Sequence, residues 1–161
     1  PSGADCPEGR GRGIGFAQYK NSAAYAAVVM EVAVSDAGEI RLERCVIAAD
    51  AGEIVDRAGL AAQLEGGVVQ AASWTLHEAV AFDRDGIASR DWDSYPILGF
   101  DNVPSFETVL IDSGRQPFLG AGEATAGPTA AAIANAVYAA TGLRLRRIPF
   151  TPDAVRAAAL G

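Results

Sequence analysis

The sequence predicts an α+β fold, a mixed and mainly antiparallel sheet with two principal helices. Three observations carry that expectation. Two apolar strand patterns, Tyr25 to Val34 and Ile40 to Ala48, are separated by the turn Ser35-Asp36-Ala37-Gly38. A long helical pattern follows Asp56, with Leu60, Leu64 and Val68 four residues apart. A second helix, rich in small residues, opens at Gly127-Pro128 and runs to Gly142. Proline suits the first helical turn, and glycine suits a left-handed C-cap.

Taken in order, Pro1 to Gly9 is polar, contains glycine and proline, and is expected to be loose. Gly9-Arg10-Gly11-Arg12-Gly13-Ile14-Gly15 has the composition of a nucleotide loop. No strand precedes it and no helix clearly follows, so the dinucleotide reading fails on context. In Tyr25 to Val34, Ala26, Val28, Met30, Val32 and Val34 line one face, while Tyr25, Ala27 and Val29 line the other. Two apolar faces mean a central, covered strand. The next strand alternates Ile40 and Leu42 with Arg41 and Glu43, and a hairpin joins the two. Asp50 to Asp56 is a loop in which Asp56 serves as N-cap of the long helix.

Inside that helix, Gln63-Leu64-Glu65-Gly66-Gly67 places two glycines where each costs about 1 kcal/mol against alanine. Close approach of a strand or a bound ligand would account for them, and so would tight helix packing. Between Trp74 and Phe82 the helix finishes and turns into a strand, and Asp83-Arg84-Asp85-Gly86 reads as a hairpin turn. Asp91 to Ser105 is an irregular loop over the core, whose Trp92, Tyr95 and Phe100 are also candidates for a substrate-channel wall. Phe106 to Ile111 is a third strand, and Ser113 to Gly122 is the loop leading to Glu123. Leu143 to Ile148 reads as a last strand, and Thr151-Pro152-Asp153 starts a short terminal helix. With no repeat and no linker-like break, residues 1–161 read as one domain, 1–9 loose.

Composition removes several function classes. Half of the residues are hydrophobic and only 20% are charged, so disorder is not expected. The net charge of −7 argues against a nucleic-acid partner. The one basic concentration, Arg144, Arg146 and Arg147, alternates as in a strand. No uncharged apolar run is long enough for a membrane span. The chain starts at Pro1 with no visible signal peptide and reads as a fragment or processed piece of something longer. Localisation therefore stays open between cytoplasm and periplasm, of a bacterial type. Cys6 and Cys45 alone cannot build a zinc site or hold an iron–sulfur cluster. Cys45 reads as a buried structural thiol and Cys6 as a mobile surface thiol. The lone histidine, His77, reads as an ordinary surface or core residue, and no residue is assigned as a metal ligand.

The stretch Gly120-Ala121-Gly122-Glu123 sets one carboxylate in a glycine turn just before a helix N-terminus, where the macrodipole favours negative charge. Two readings of Glu123 stand: a cap for the helix, or a general base held beside a flexible turn.

Gly120-Ala121-Gly122-Glu123, followed by Pro128-Thr129-Ala130-Ala131-Ala132-Ile133-Ala134-Asn135-Ala136, resembles the C-terminal part of the molybdopterin-binding large subunit of the xanthine dehydrogenase/aldehyde oxidase family. Gln63-x-Glu65-Gly66-Gly67 after an Asp-x-Gly loop, the Gly-Arg-Gly-x-Gly segment, and the run Ala140 to Phe150 are similar to the family's pattern as well. The likeness covers nearly the whole chain, and the separation of Gln63 from Glu123 agrees with the family. One departure is Ala124, where many relatives have proline.

The resemblance implies that Glu123 is the catalytic base beside the molybdenum, and that Gln63, Gly66 and Gly122 lie at the molybdopterin, often present as its cytosine dinucleotide. It implies a molybdenum hydroxylase that oxidises an aldehyde or N-heterocycle with water-derived oxygen. The expected partners are the upstream half of the molybdenum subunit, an iron–sulfur subunit, a flavin or cytochrome electron acceptor and a small-molecule substrate. The isolated chain is expected to fold, to hold no cofactor and to be inactive, since the cofactor belongs to the assembled complex. The rival expectations are a non-catalytic structural or assembly domain completing a larger subunit and, more distantly, a small-ligand binding module.

Overall fold

The computed structural model of the chain describes residues 9–112 and 117–161. Pro1 to Glu8 with Cys6, and Ser113 to Gln116 of the expected loop, lie outside the described residues. In chain order the elements are β1 (Arg10–Gln18), β2 (Tyr25–Val34), β3 (Ile40–Asp50), α1 (Arg57–Leu76), β4 (Phe82–Asp83), β5 (Gly86–Ile87), β6 (Ser105–Leu110), α2 (Ala126–Thr141) and α3 (Pro152–Leu160). The main sheet has the order β1-β2-β3-β6. Its β1–β2 and β2–β3 pairs are antiparallel, and β6 joins β3 in parallel. The architecture is the expected α+β arrangement, with helices packed on one face of a mainly antiparallel sheet.

The local signals behind these elements are visible. Gly38 takes φ +83° in the turn between β2 and β3, and its N–H donates to Ser35 O at 2.8 Å. Asp56 caps α1 by accepting from Ala58 N at 3.0 Å. Gly142 closes α2 in the left-handed region at φ 75°. The Thr151 hydroxyl oxygen caps α3 by accepting from Ala154 N at 3.2 Å. A register shift at Glu31/Val32 pairs Met30 with Cys45 and Val32 with Leu42. The extra residue lets β3 bury both Leu42 and Cys45, although three positions separate them. The small hairpin β4–β5 forms around Asp83-Arg84-Asp85-Gly86 as expected.

Four expectations are corrected. Strand β2 is central but covered on one face only, since Tyr25, Ala27 and Val29 lie on the open face and are exposed or partly exposed. The glycine-alternating segment forms a full edge strand, β1. Gly9 is not loose, because its carbonyl accepts from Val34 N at 2.7 Å. Leu143 to Ile148 pairs with no strand. Its alternation is used along α2 instead: Leu145 packs on the core, while Arg144 lies 3.6 Å from the Tyr138 ring centroid and donates to Asn135 Oδ1 at 3.0 Å.

Helices α1 and α2 cover one face of the sheet, burying Val28, Met30, Val32 and Ile47 against Leu64, Val68, Ile133 and Val137. Cys45 sits in this core as a free thiol, as expected. Burial pushes its pKa up to about 12, helped by the charge of Glu65. On the open face a row of alternating charge crosses all four strands. Arg12 meets Glu31 at 2.6 Å, Glu31 meets Arg44 at 3.4 Å, and Arg44 pairs with Glu107. Such exposed pairs are screened by solvent and add little to stability.

The α2–β1 contact is very close. A Cβ added at Gly11 would lie 2.1 Å from Ala136 O, one at Gly13 would lie 2.2 Å from Ala132 O, and one at Gly15 would lie 2.1 Å from Pro128 O. Helix backbone rests directly on strand backbone, which explains why glycine is tolerated where strands normally disfavour it.

This packing makes opposite demands on two glycines. Gly13→Ala should destabilise the protein by at least about 2 kcal/mol in chemical denaturation, because backbone atoms cannot step aside as a flexible side chain would. Gly127→Ala, in α2 with nothing within 4 Å of the added Cβ, should be neutral or stabilising by up to about 1 kcal/mol. Equal effects at the two positions would contradict the packing. For Cys45, iodoacetamide at pH 8 should label its peptide only in denaturant, since thiolate is scarce at a pKa of about 12. Rapid labelling of the native protein would contradict its burial.

Candidate active site

The turn before α2 is closed by its own backbone. Ala124 N donates to Ala121 O at 3.2 Å, and Ala126 N donates to Glu123 O at 3.1 Å. Thr125 is the N-cap residue of α2, yet its side chain makes no capping bond. Its hydroxyl donates across to Leu64 O on α1 at 2.8 Å. That bond fastens the turn to the middle of α1. It also accounts for one of the two helix glycines, because a Cβ on Gly67 would come within 2.4 Å of Thr125 Oγ1. Gly66 has a different environment: it is exposed, with nothing within 4 Å of an added Cβ.

Gln63 stands one turn earlier on the same exposed side of α1, and its Oε1 is 3.6 Å from where a Cβ of Gly122 would be. Gln63, Gly122 and Glu123 therefore meet on one rim, between α1 and the start of α2. Gly66 does not touch the other three and continues the bare strip along α1.

The Glu123 side chain is exposed and makes no cap for the helix. It accepts a hydrogen bond from the hydroxyl of Tyr19. Tyr19 opens a short 3-10 turn, Tyr19–Asn21, directly after β1, and in it Lys20 and Asn21 both adopt left-handed φ values of 52° and 58°. Left-handed backbone outside glycine costs roughly 1–3 kcal/mol per residue and persists only where surrounding contacts over-determine it. Here Tyr19 N donates to Ala24 O at 2.8 Å and Ala23 N returns to Tyr19 O at 2.9 Å.

Sequence reasoning missed Tyr19, because its partner is distant in the chain. The signal that would have found it is the glycine ladder. Gly11, Gly13 and Gly15 step backwards along α2 from Ala136 to Pro128, so the residues after Gln18 emerge at the N-terminal end of α2.

The remaining candidates lie elsewhere. His77 is the C-cap residue of α1, half-buried, with its imidazole pushed below its ordinary value by burial against an opposing effect of Glu78. Tyr95 donates to Glu78 at 2.8 Å, so the loop carrying Trp92, Tyr95 and Phe100 is tied to the C-terminal end of α1. That end is about 20 Å along the helix from Gln63 at 1.5 Å per residue. A small cavity of about 190 Å³ under the loop before Glu123 is lined by Ala51, Ile54, Leu60, Phe118 and Leu119. It is smaller than the pockets that enclose most small-molecule ligands. Among the described residues, no three of His, Cys, Asp and Glu group closely enough to hold a metal ion, and no helix is long and apolar enough to cross a membrane.

Comparison with known proteins matches this arrangement to a family. Residues 6–104 fit the molybdopterin cofactor-binding domain family, with Gln63 and Gly66 inside the match and Glu123 beyond it. The chain is 42% identical over 156 residues to a nicotinate dehydrogenase subunit of Pseudomonas putida, covering 92% of this chain and 13% of that protein. It is 33% identical over 144 residues to the aldehyde oxidoreductase molybdenum-binding subunit PaoC of Escherichia coli, covering 84% of this chain and 20% of that protein. Among solved structures, the aldehyde oxidoreductase of Desulfovibrio desulfuricans superposes with a TM-score of 0.75 at 28% identity, over 84% of this chain and 15% of that one. Quinoline 2-oxidoreductase of Pseudomonas putida 86 shares the fold with a TM-score of 0.79 at 21% identity, over 84% of this chain and 18% of that one. The chain thus spans a fifth or less of the length of these relatives. It belongs to the molybdopterin-binding subunits of the xanthine dehydrogenase/aldehyde oxidase family.

Proposed function

We propose that the chain supplies the base Glu123 and part of the molybdopterin site to a molybdenum hydroxylase that oxidises an aldehyde or an N-heterocycle with water-derived oxygen. The observation that carries this reading is the meeting of Gln63 with the Gly122–Glu123 turn on one exposed rim. The residues fit the cofactor chemically. The primary amide of Gln63 offers both a donor and an acceptor, and the bare backbone at Gly66 admits a flat group at close range. With no cluster of metal-binding side chains among the described residues, these residues would hold the organic part of the cofactor.

When bound, the cofactor supplies a redox-active metal that acidifies the oxygen to be transferred and accepts the substrate's electrons. Glu123 would take up the proton released there, as general base. Gln63 would hold the cofactor through hydrogen bonds from its side-chain amide. The relatives support both substrate classes: nicotinate is an N-heterocycle, and the Escherichia coli relative is an aldehyde oxidoreductase. The proposal extends to the cytosine dinucleotide form of the cofactor, the upstream half of the subunit, an iron–sulfur subunit and a flavin or cytochrome acceptor.

Glu123→Gln keeps size and hydrogen bonding but cannot take up a proton. In the assembled enzyme it should retain molybdenum and thermal stability yet be reduced by substrate at least about a hundredfold more slowly in stopped flow. Reduction at the wild-type rate would leave the chain a structural part of its subunit. Gln63→Ala should weaken cofactor retention by roughly 1–3 kcal/mol, read as lower molybdenum and pterin content per chain after gel filtration. Unchanged content and activity would make Gln63 a structural residue only.

A further inference from the structure

We propose that Tyr19 is the positioning residue of the base: its hydroxyl donates to Oε2 of Glu123 and so fixes which oxygen, Oε1, receives the proton. The inference rests on the reading of Glu123 as base. Glu123 stands on an exposed turn, and among the described residues its carboxylate has no other hydrogen-bond donor. Left alone, such a carboxylate would rotate about its terminal torsion, which is broad and two-fold. One hydrogen bond from a fixed donor removes that freedom while leaving the second oxygen open.

Tyr19 meets the requirement of a fixed donor. Its ring is half-buried and packed on the hydrophobic core. Its N–H donates to Ala24 O at 2.8 Å, and its carbonyl accepts from Ala23 N at 2.9 Å and Ser22 N at 3.3 Å. The Lys20 ammonium lies over the ring, 5.1 Å from its centroid. On the other side, the backbone of Glu123 is held by the bond from Ala126 N at 3.1 Å. Donor and acceptor thus come from two anchored segments, the end of β1 and the start of α2, whose spacing is set by the glycine contact between them. In the reaction the proton goes to Oε1, and the Tyr19 hydroxyl keeps its own.

The rival is a plain structural clasp, in which the bond ties β1 to the turn without bearing on chemistry. A double-mutant cycle on the assembled enzyme separates the two. Tyr19→Phe keeps the ring and removes the donor. The limiting rate of reduction by substrate should fall about 10-fold or more, with the substrate saturation constant, molybdenum content and melting temperature unchanged. In the Glu123→Gln background, where no base remains to be positioned, Tyr19→Phe should cause no further fall. A wild-type rate in Tyr19→Phe overturns the proposal. So does an equal fold-loss in both backgrounds, or a loss accompanied by a lower melting temperature. If Glu123→Gln alone is reduced at the wild-type rate, the base assignment itself has failed, and that outcome is read from a different variant.

Discussion

The structure depends on one contact, the seating of α2 on the bare backbone of β1. A strand advances about 6.7 Å for every second residue, and a helix advances about 6.0 Å for every fourth. Those steps nearly match, so glycines at alternate positions can each receive a helical carbonyl from the same stripe. Gly11, Gly13 and Gly15 do this with Ala136, Ala132 and Pro128. Any side chain at these positions would lift the helix off the sheet. The helix is correspondingly small on that side, with alanine at 132, 136 and 140. Interior packing has little slack, so this contact sets the height of α2 and the place of its N-terminus.

From that placement the site follows. The turn before α2 is pinned to α1 by Thr125 and made tight by Gly67, which brings Glu123 and Gly122 level with Gln63. The same ladder leads β1 past the end of α2, so that Tyr19 reaches Glu123. Three segments far apart in the chain thus meet through backbone-to-backbone closeness, with few side-chain hydrogen bonds among them. The open rim and the closed core are built from the same residue type used oppositely: glycine fills contacts at 11, 13, 15 and 67, and leaves backbone bare at 66.

The parts of the fold legible in the sequence were those governed by local rules. The turn at Gly38, the cap at Asp56, the left-handed Gly142 and the cap at Thr151 each depend on neighbours within a few residues. What was not legible depends on partners far along the chain. Nothing local marks Arg10 to Gln18 as a strand, because its glycines answer to a helix that begins at Ala126. The alternation of Leu143 to Ile148 is real, but no sheet edge receives it, and α2 uses it instead. At the site, Glu123, Gln63, Gly66 and Gly122 were found through a motif resemblance. Local sequence alone favoured a cap for Glu123, and the structure shows its side chain turned to Tyr19 instead.

The central claim is that the α2–β1 contact presents Glu123, oriented by Tyr19 and flanked by Gln63, to a molybdopterin. A crystal structure of the assembled, cofactor-loaded enzyme tests it most directly. The account predicts the Gln63 amide against the cofactor, Glu123 facing the metal with one carboxylate oxygen free, and the Tyr19 hydroxyl on the other oxygen. A cofactor seated away from this rim, or a Glu123 side chain turned into the helix N-terminus with Tyr19 unbound, would contradict it.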